Sequence, residues 1–375
     1  MVSVSWWPET RLEWAFFLTT AIQAVTNTTI QVTILVVYLN WVNSVVYQVP
    51  LSYVTPITLG INTLGVIYQM VLTLDAYRIK NHIQIFVQCA ANVCLAVSTV
   101  LQYTELREAA ARIIKGQDMY NTPFAKLEWP FWKKTSPGLM VCTSLTCVCS
   151  VVMCALALGL YREFRWALYQ HVSPDRRVQH KYFVYQVYLV LLKYTPYFIF
   201  AFIFIYTFID VHFTQPEFSL TIAIMPAILL HVGIAVYTVR HEKRFVMTVV
   251  LVSIPTPSIP YFADCMFFFK LGHAAYIAYL VSRLVVLYGN SQLANTWMKD
   301  QMVFYVCVGL GFSVITLVVG CICLWNFNKG LKPILLGQVQ RKIRPNEVET
   351  DYYVQRLNYN IVPLADRDSQ RFALD

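Results

Sequence analysis

Long apolar runs alternate with short polar breaks along this chain. Seven runs, at residues 13–42, 51–74, 82–103, 137–160, 183–209, 218–239 and 302–325, are each about 20 or more residues long, enough for a helix to cross the ~30 Å hydrocarbon core. An eighth, at 244–288, is broken. Residues 245–254 are apolar but short, Pro255, Pro257 and Pro260 follow, and 274–288 is apolar again. Removing residues 252–271 would fuse the flanks into one span of ordinary length. Three readings stand for that segment: a translated intron, a re-entrant loop, or two short helices. The pattern predicts an all-α, polytopic transmembrane bundle of seven to eight spans over 1–325. A cytosolic tail, partly disordered, is expected over 326–375, where charges are mixed and Pro333, Pro345 and Pro363 recur.

Composition agrees. Hydrophobic residues make up 57% of the 375 and charged residues 13%, about half the usual share of a soluble domain. The net charge of +9 sits mostly in loops beside spans, which reads as orientation signal and contact with anionic lipid rather than nucleic-acid binding. Nine of the ten cysteines fall inside spans, at no metal or disulfide spacing, and read as small packing residues. Cys321 and Cys323 lie where S-palmitoylation is chemically accessible. No basic segment precedes the first run, which reads as an uncleaved signal anchor.

Lys and Arg placement orients the bundle. The loop at 162–181 carries Arg162, Arg165, Arg176, Arg177 and Lys181, and the 240–244 turn carries three cations. The turns at 43–50 and 210–217 carry none. Eight crossings with both ends cytosolic satisfy these facts. The loop at 103–137 disagrees: it would be lumenal, yet it holds Arg107, Arg112, Lys115, Lys126, Lys133 and Lys134.

Two constellations could carry function. Gln23, Asn27 and Gln31 recur every four residues in the first span, and Gln84, Gln88 and Asn92 do so in the third. Such spacing lines one helix face, and amides avoid lipid, so both faces should turn inward, with Asn62 and Gln69 of the second span beside them. They line a polar cavity for a solute, or they bond helix to helix. The second reading is preferred, since uncharged amides are the usual packing residues. Lys193 and His231 lie deep in the fifth and sixth spans, near Pro196 and Pro226. Ionisable groups at such depth are functional candidates, for a proton-linked site or an anionic headgroup, but no acidic partner is evident in the sequence. Asn27-Thr28-Thr29 fits a glycosylation triplet but falls mid-span. Soluble-enzyme motifs are absent, and no catalytic residue, cofactor or metal is expected.

One loop is distinctive. It reads Tyr161-Arg162-Glu163-Phe164-Arg165-Trp166-Ala167-Leu168-Tyr169, then Asp175-Arg176-Arg177, with Tyr185-Gln186-Val187 in the following span. Its aromatic and basic residues suit an amphipathic continuation of the fourth helix along the interface, binding anionic lipid or a cytosolic adaptor protein. A plain orientation anchor is the competing reading. With Asn326-Phe327-Asn328-Lys329-Gly330-Leu331-Lys332 after the last span, this loop resembles an uncharacterised fungal family of multi-pass Golgi apparatus membrane proteins. The resemblance implies a Golgi membrane location and brings no activity with it; the segment at 252–271 departs from its pattern. The expectation is an integral Golgi membrane protein, not an enzyme, acting as scaffold or trafficking component. The alternatives are a transporter or channel built on the polar faces, and a heptahelical receptor, which an even number of crossings opposes.

Overall fold

Hydrocarbon offers backbone N–H and C=O groups no partner, so apolar runs satisfy them internally as helices. A computed structural model describes residues 8, 10–79, 81–118, 120–126, 130–171, 176–211, 217–252, 272–289 and 297–327; side chains at 162–171, at 176–179 and at a few other positions are outside the description. The helices are α1 Arg11–Trp41, α2 Leu51–Ile79, α3 His82–Lys115, α4 Phe131–His171, α5 Arg176–Ile205, α6 Glu217–Arg240, α7 Arg244–Val252, α8 His273–Gly289 and α9 Lys299–Asn326. All fall within the compact unit Met1–Lys332. The tail expected over 326–375 lies almost wholly outside the described residues.

Seven of these helices are long and apolar enough to span a bilayer, all but α7 and α8. α5 is central, with 78% of its apolar window buried against 33% for α1 and for α9. α1 opens on a capping box, in which the Thr10 hydroxyl accepts from Glu13 N–H and Glu13 answers at Thr10 N–H. Asn81 caps α3, its Oδ1 accepting from Ile83 N–H.

The helices outrun the spans drawn from hydropathy. α3 continues to Lys115 because residues 105–115 are rich in Glu, Leu, Ala, Arg and Lys, all good helix formers. α4 begins at Phe131 and takes Pro137 inside, so the loop expected at 103–137 shrinks to 116–130. At 41 residues, α4 is about 60 Å long, roughly twice the hydrocarbon thickness. Pro56, Pro196 and Pro226 sit within α2, α5 and α6.

The cations of the discordant loop have structural work. Lys126 Nζ donates to Asn40 O at 3.0 Å, at the carbonyl end of α1, where a cation suits the helix dipole. The Arg112 guanidinium lies 4.4 Å from the centre of the Trp297 ring. Trp41 is buried and stacked on Phe131 at 4.4 Å, whereas Trp325 is 78% exposed.

The broken run folds as two helices, α7 and α8, together about 39 Å long at 1.5 Å per residue and so enough for one crossing. α7 starts level with the end of α9, where Arg244 donates to Phe327 O at 2.8 Å. It runs inward to Leu251, which a Cβ on Gly320 would meet at 2.6 Å. α8 resumes at His273, beside His231 in the middle of α6, and runs on toward the opposite face. The segment at 253–271, on which the intron and re-entrant readings bear, lies outside the described residues.

Candidate functional site: a buried polar network

The two predicted amide faces meet at Gln23 and Asn92. Gln23 Nε2 donates to Asn92 Oδ1 at 2.8 Å, and Asn92 Nδ2 returns to Gln23 Oε1 at 3.3 Å. Two turns on, Gln31 and Gln102 make the same reciprocal pair at 3.1 and 2.9 Å. The offsets of 69 and 71 residues show that α1 and α3 run parallel, reaching each other through these long side chains rather than by direct packing. α4 runs antiparallel between them. Asn92 Nδ2 donates to Ser150 Oγ at 2.9 Å, and Asn27 Nδ2 to Thr146 Oγ1 at 3.0 Å. Among the described residues Asn27 Oδ1 has no partner, and the side chain is buried against α4, no place for a glycan.

From Gln102 the network crosses the bundle. Asn62 Nδ2 of α2 donates to Gln102 Oε1 at 2.8 Å, Ser98 Oγ donates to Asn62 Oδ1 at 2.8 Å, and Ser98 meets Tyr305 OH of α9 at 2.6 Å. Five helices are thus joined through side chains that are nearly all fully buried.

A second cluster joins α2, α3 and α5, and here the sequence reading needs correcting. Lys193 does have an acidic partner: its Nζ pairs with Asp75 near the end of α2. Gln84 bridges the two, accepting from Lys193 Nζ at 3.3 Å and donating to Asp75 Oδ2 at 3.0 Å, while its Nε2 also reaches Leu72 O at 2.8 Å. Tyr68 OH donates to Lys193 O. Beside this pair, Tyr194 OH donates to Gln88 Oε1 at 2.9 Å, and Gln88 Nε2 donates to Gln69 O at 2.8 Å and to Thr73 Oγ1. Asp75 lies one residue beyond the apolar run at 51–74, outside the stretch that hydropathy marks as intramembrane.

His231 is joined to His273 rather than set beside Lys193, with Nε2 and Nδ1 3.0 Å apart and the Tyr276 ring edge-on to His231. Of the proposed pair of deep ionisable groups, each therefore has a bonding partner of its own on a different helix. The interface positions Arg162, Arg165 and Trp166 lie on the helical extension of α4, and Arg176 and Arg177 open α5. Their side chains lie outside the described residues. Cys321 is exposed and lines a groove with Arg244, Thr248, Leu324 and Trp325, whereas Cys323 is buried.

Gln102, Thr146, Ser150 and Tyr305 also escaped the sequence reading. Gln102 had a signal: it follows Gln84 by 18 residues, five full helical turns, and so repeats the same face. Thr146 and Ser150 are four apart on α4, a pair too short to separate from ordinary helix hydroxyls that bond back to the preceding turn, as both also do here.

No family model matches the chain, and no solved structure is similar to it. It is 25% identical over 293 residues to a UPF0658 Golgi apparatus membrane protein of Schizosaccharomyces pombe, a match covering 74% of this chain and 77% of that one. That relative is of the kind that the loop and tail motifs resemble. With its apolar helices and this fungal relative, the chain is an integral, multi-pass Golgi apparatus membrane protein.

Proposed function

We propose that the protein is a non-catalytic Golgi scaffold, holding a basic helical hairpin out of the membrane for the trafficking machinery. One observation carries this reading: α4 does not stop at the membrane edge. Its apolar run ends at Leu160, yet the helix continues through His171, and α5 is already helical from Arg176, ahead of the apolar run that begins at Phe183. A helix that continues past the bilayer holds the backbone at positions 162, 165 and 166 at a fixed height, which a flexible loop would not. An adaptor of the trafficking machinery is the favoured occupant, and anionic lipid at the same face would reinforce it. The interlocked amides suit a scaffold, since side chains bonded to one another hold a platform rigid. Proximity labelling from a tag beside the 162–181 hairpin tests this. Enrichment of coat or tether proteins over a lumenally tagged control is expected; equal recovery from both tags would remove the reading.

The Lys193–Asp75 pair favours a second reading, a solute transporter. Both side chains keep about a quarter of their surface, 27% and 25%, and a charge pair at depth suits a site that exchanges a proton or an anion. Lys193→Ala or Gln88→Leu would then abolish flux in a stable, correctly placed protein. Normal flux in both variants would exclude it.

A further inference from the structure

Among the described residues Arg283 has no counter-ion. It lies on α8, six residues before the last helical residue, about 9 Å from that end at 1.5 Å per residue. A long side chain on a helix leans toward the helix start, and here that direction leads away from the membrane surface. The guanidinium carbon accordingly sits 5.4 Å from the centre of the Tyr279 ring, one turn back, and 4.8 Å from that of Tyr206. Tyr206 opens the π-helical turn Tyr206–Val211 that extends α5. Such turns break the regular ladder and recur at functional sites.

The two rings hold the cation through their quadrupoles but do not neutralise it. Among the described residues no carboxylate pairs with Arg283 and no acceptor takes its N–H groups, while Nε is buried and unsatisfied. A guanidinium in apolar surroundings without an anion is costly, and cations inside membranes are ordinarily paired. The neighbouring face of α8 is open: Val281 and Val285 are exposed, the latter by 63%. Tyr206 lies three residues before the end of its apolar helix at Ile209, roughly 5 Å below that end, which is headgroup depth. By the charge argument, this is the leaflet on the side away from the basic hairpin.

We propose that Arg283, steadied by Tyr206 and Tyr279, binds the phosphate of a membrane phospholipid that enters from the lumenal leaflet between α5 and α8. The planar fork of guanidinium donors matches two phosphate oxygens, which an ammonium cannot do. The site is separate from the basic hairpin and from the Lys193–Asp75 pair, and does not depend on either functional reading above.

The test uses the full chain, purified in detergent and stripped of lipid, with native mass spectrometry after adding phosphatidic acid, diacylglycerol with the same tails, or inorganic phosphate. The wild type should retain phosphatidic acid and not diacylglycerol. Arg283→Gln should lower that retention about tenfold or more, the scale of one lost charge-assisted contact. Arg283→Lys, which keeps the charge and loses the fork, should lower it less and guards against a variant that fails to fold. Equal retention by wild type and both variants, or equal uptake of diacylglycerol, would overturn the proposal. Displacement of the lipid by inorganic phosphate would make this a soluble-phosphate site and refute the lipid assignment.

Discussion

Lys193 of α5 is paired with Asp75 of α2, and Gln84 of α3 bonds to both. Three helices are tied at a point where apolar packing alone would set no register. Removing one partner leaves the other charge partly desolvated. Because each keeps about a quarter of its surface, the cost falls below the roughly 3–5 kcal/mol of a fully buried pair, at about 1–3 kcal/mol. Asp75→Asn and Lys193→Met should each lower the thermal midpoint of the purified protein. The double variant should lose less than the sum, and strict additivity would show that the pair is not coupled.

Gln102 accepts from both Gln31 and Asn62 and donates back to Gln31. Gln102→Leu strands those groups in the core and should cost about 1–2 kcal/mol, near the lower bound for a stranded buried group because membrane side-chain bonds are weak. Adding Gln31→Leu should cost less than it does alone, by about 0.5 kcal/mol or more in a double-mutant cycle. A thermal midpoint unchanged by Gln102→Leu would mean that the amides do not hold the bundle.

Gly65 marks the closest packing of α2 on its neighbours. A Cβ there would collide with the Tyr197 hydroxyl and come within 2.7 Å of Leu95 Cδ2, whereas at Gly60 and Gly233 it would meet nothing within 4 Å. Gly65→Ala should destabilise by about 1–3 kcal/mol, as overpacking does. Gly60→Ala and Gly233→Ala should be neutral or slightly stabilising, since alanine is the better helix former. Thermal unfolding of the three variants separates the cases.

Sidedness has a direct chemical test. Asn121, exposed at the tip of the 116–130 loop, is followed by Thr122 and Pro123. Pro123→Thr creates an acceptor triplet at Asn121. If that loop is lumenal, the variant should gain a glycosidase-sensitive mass; an unmodified variant in a stable protein would reverse the orientation.

The fold was largely legible because lipid leaves a chain few options: apolar length forces helices, and cations orient them. The amide faces were legible for the same reason, since Gln23, Asn27 and Gln31 repeat at helical spacing and could only face inward. Partner identity was not legible. Asp75 lay just past a hydropathy boundary, and which helix brings it to Lys193 depends on tertiary packing. His231 found His273 across a broken span whose path the sequence left open. Arg283 carried no sequence signal of its own: a cation near the end of an apolar run ordinarily reaches for the interface, and only its rings show it leaning inward.

The central claim is that the basic hairpin at 162–181 is what this membrane platform presents. Its most direct test replaces Arg162, Arg165, Arg176 and Arg177 together with Gln in the full chain, then compares the cytosolic proteins labelled from an adjacent tag. Loss of coat or tether proteins is predicted, with abundance, thermal midpoint and helical content unchanged because the bundle core is untouched. An unchanged set of labelled proteins would contradict the account.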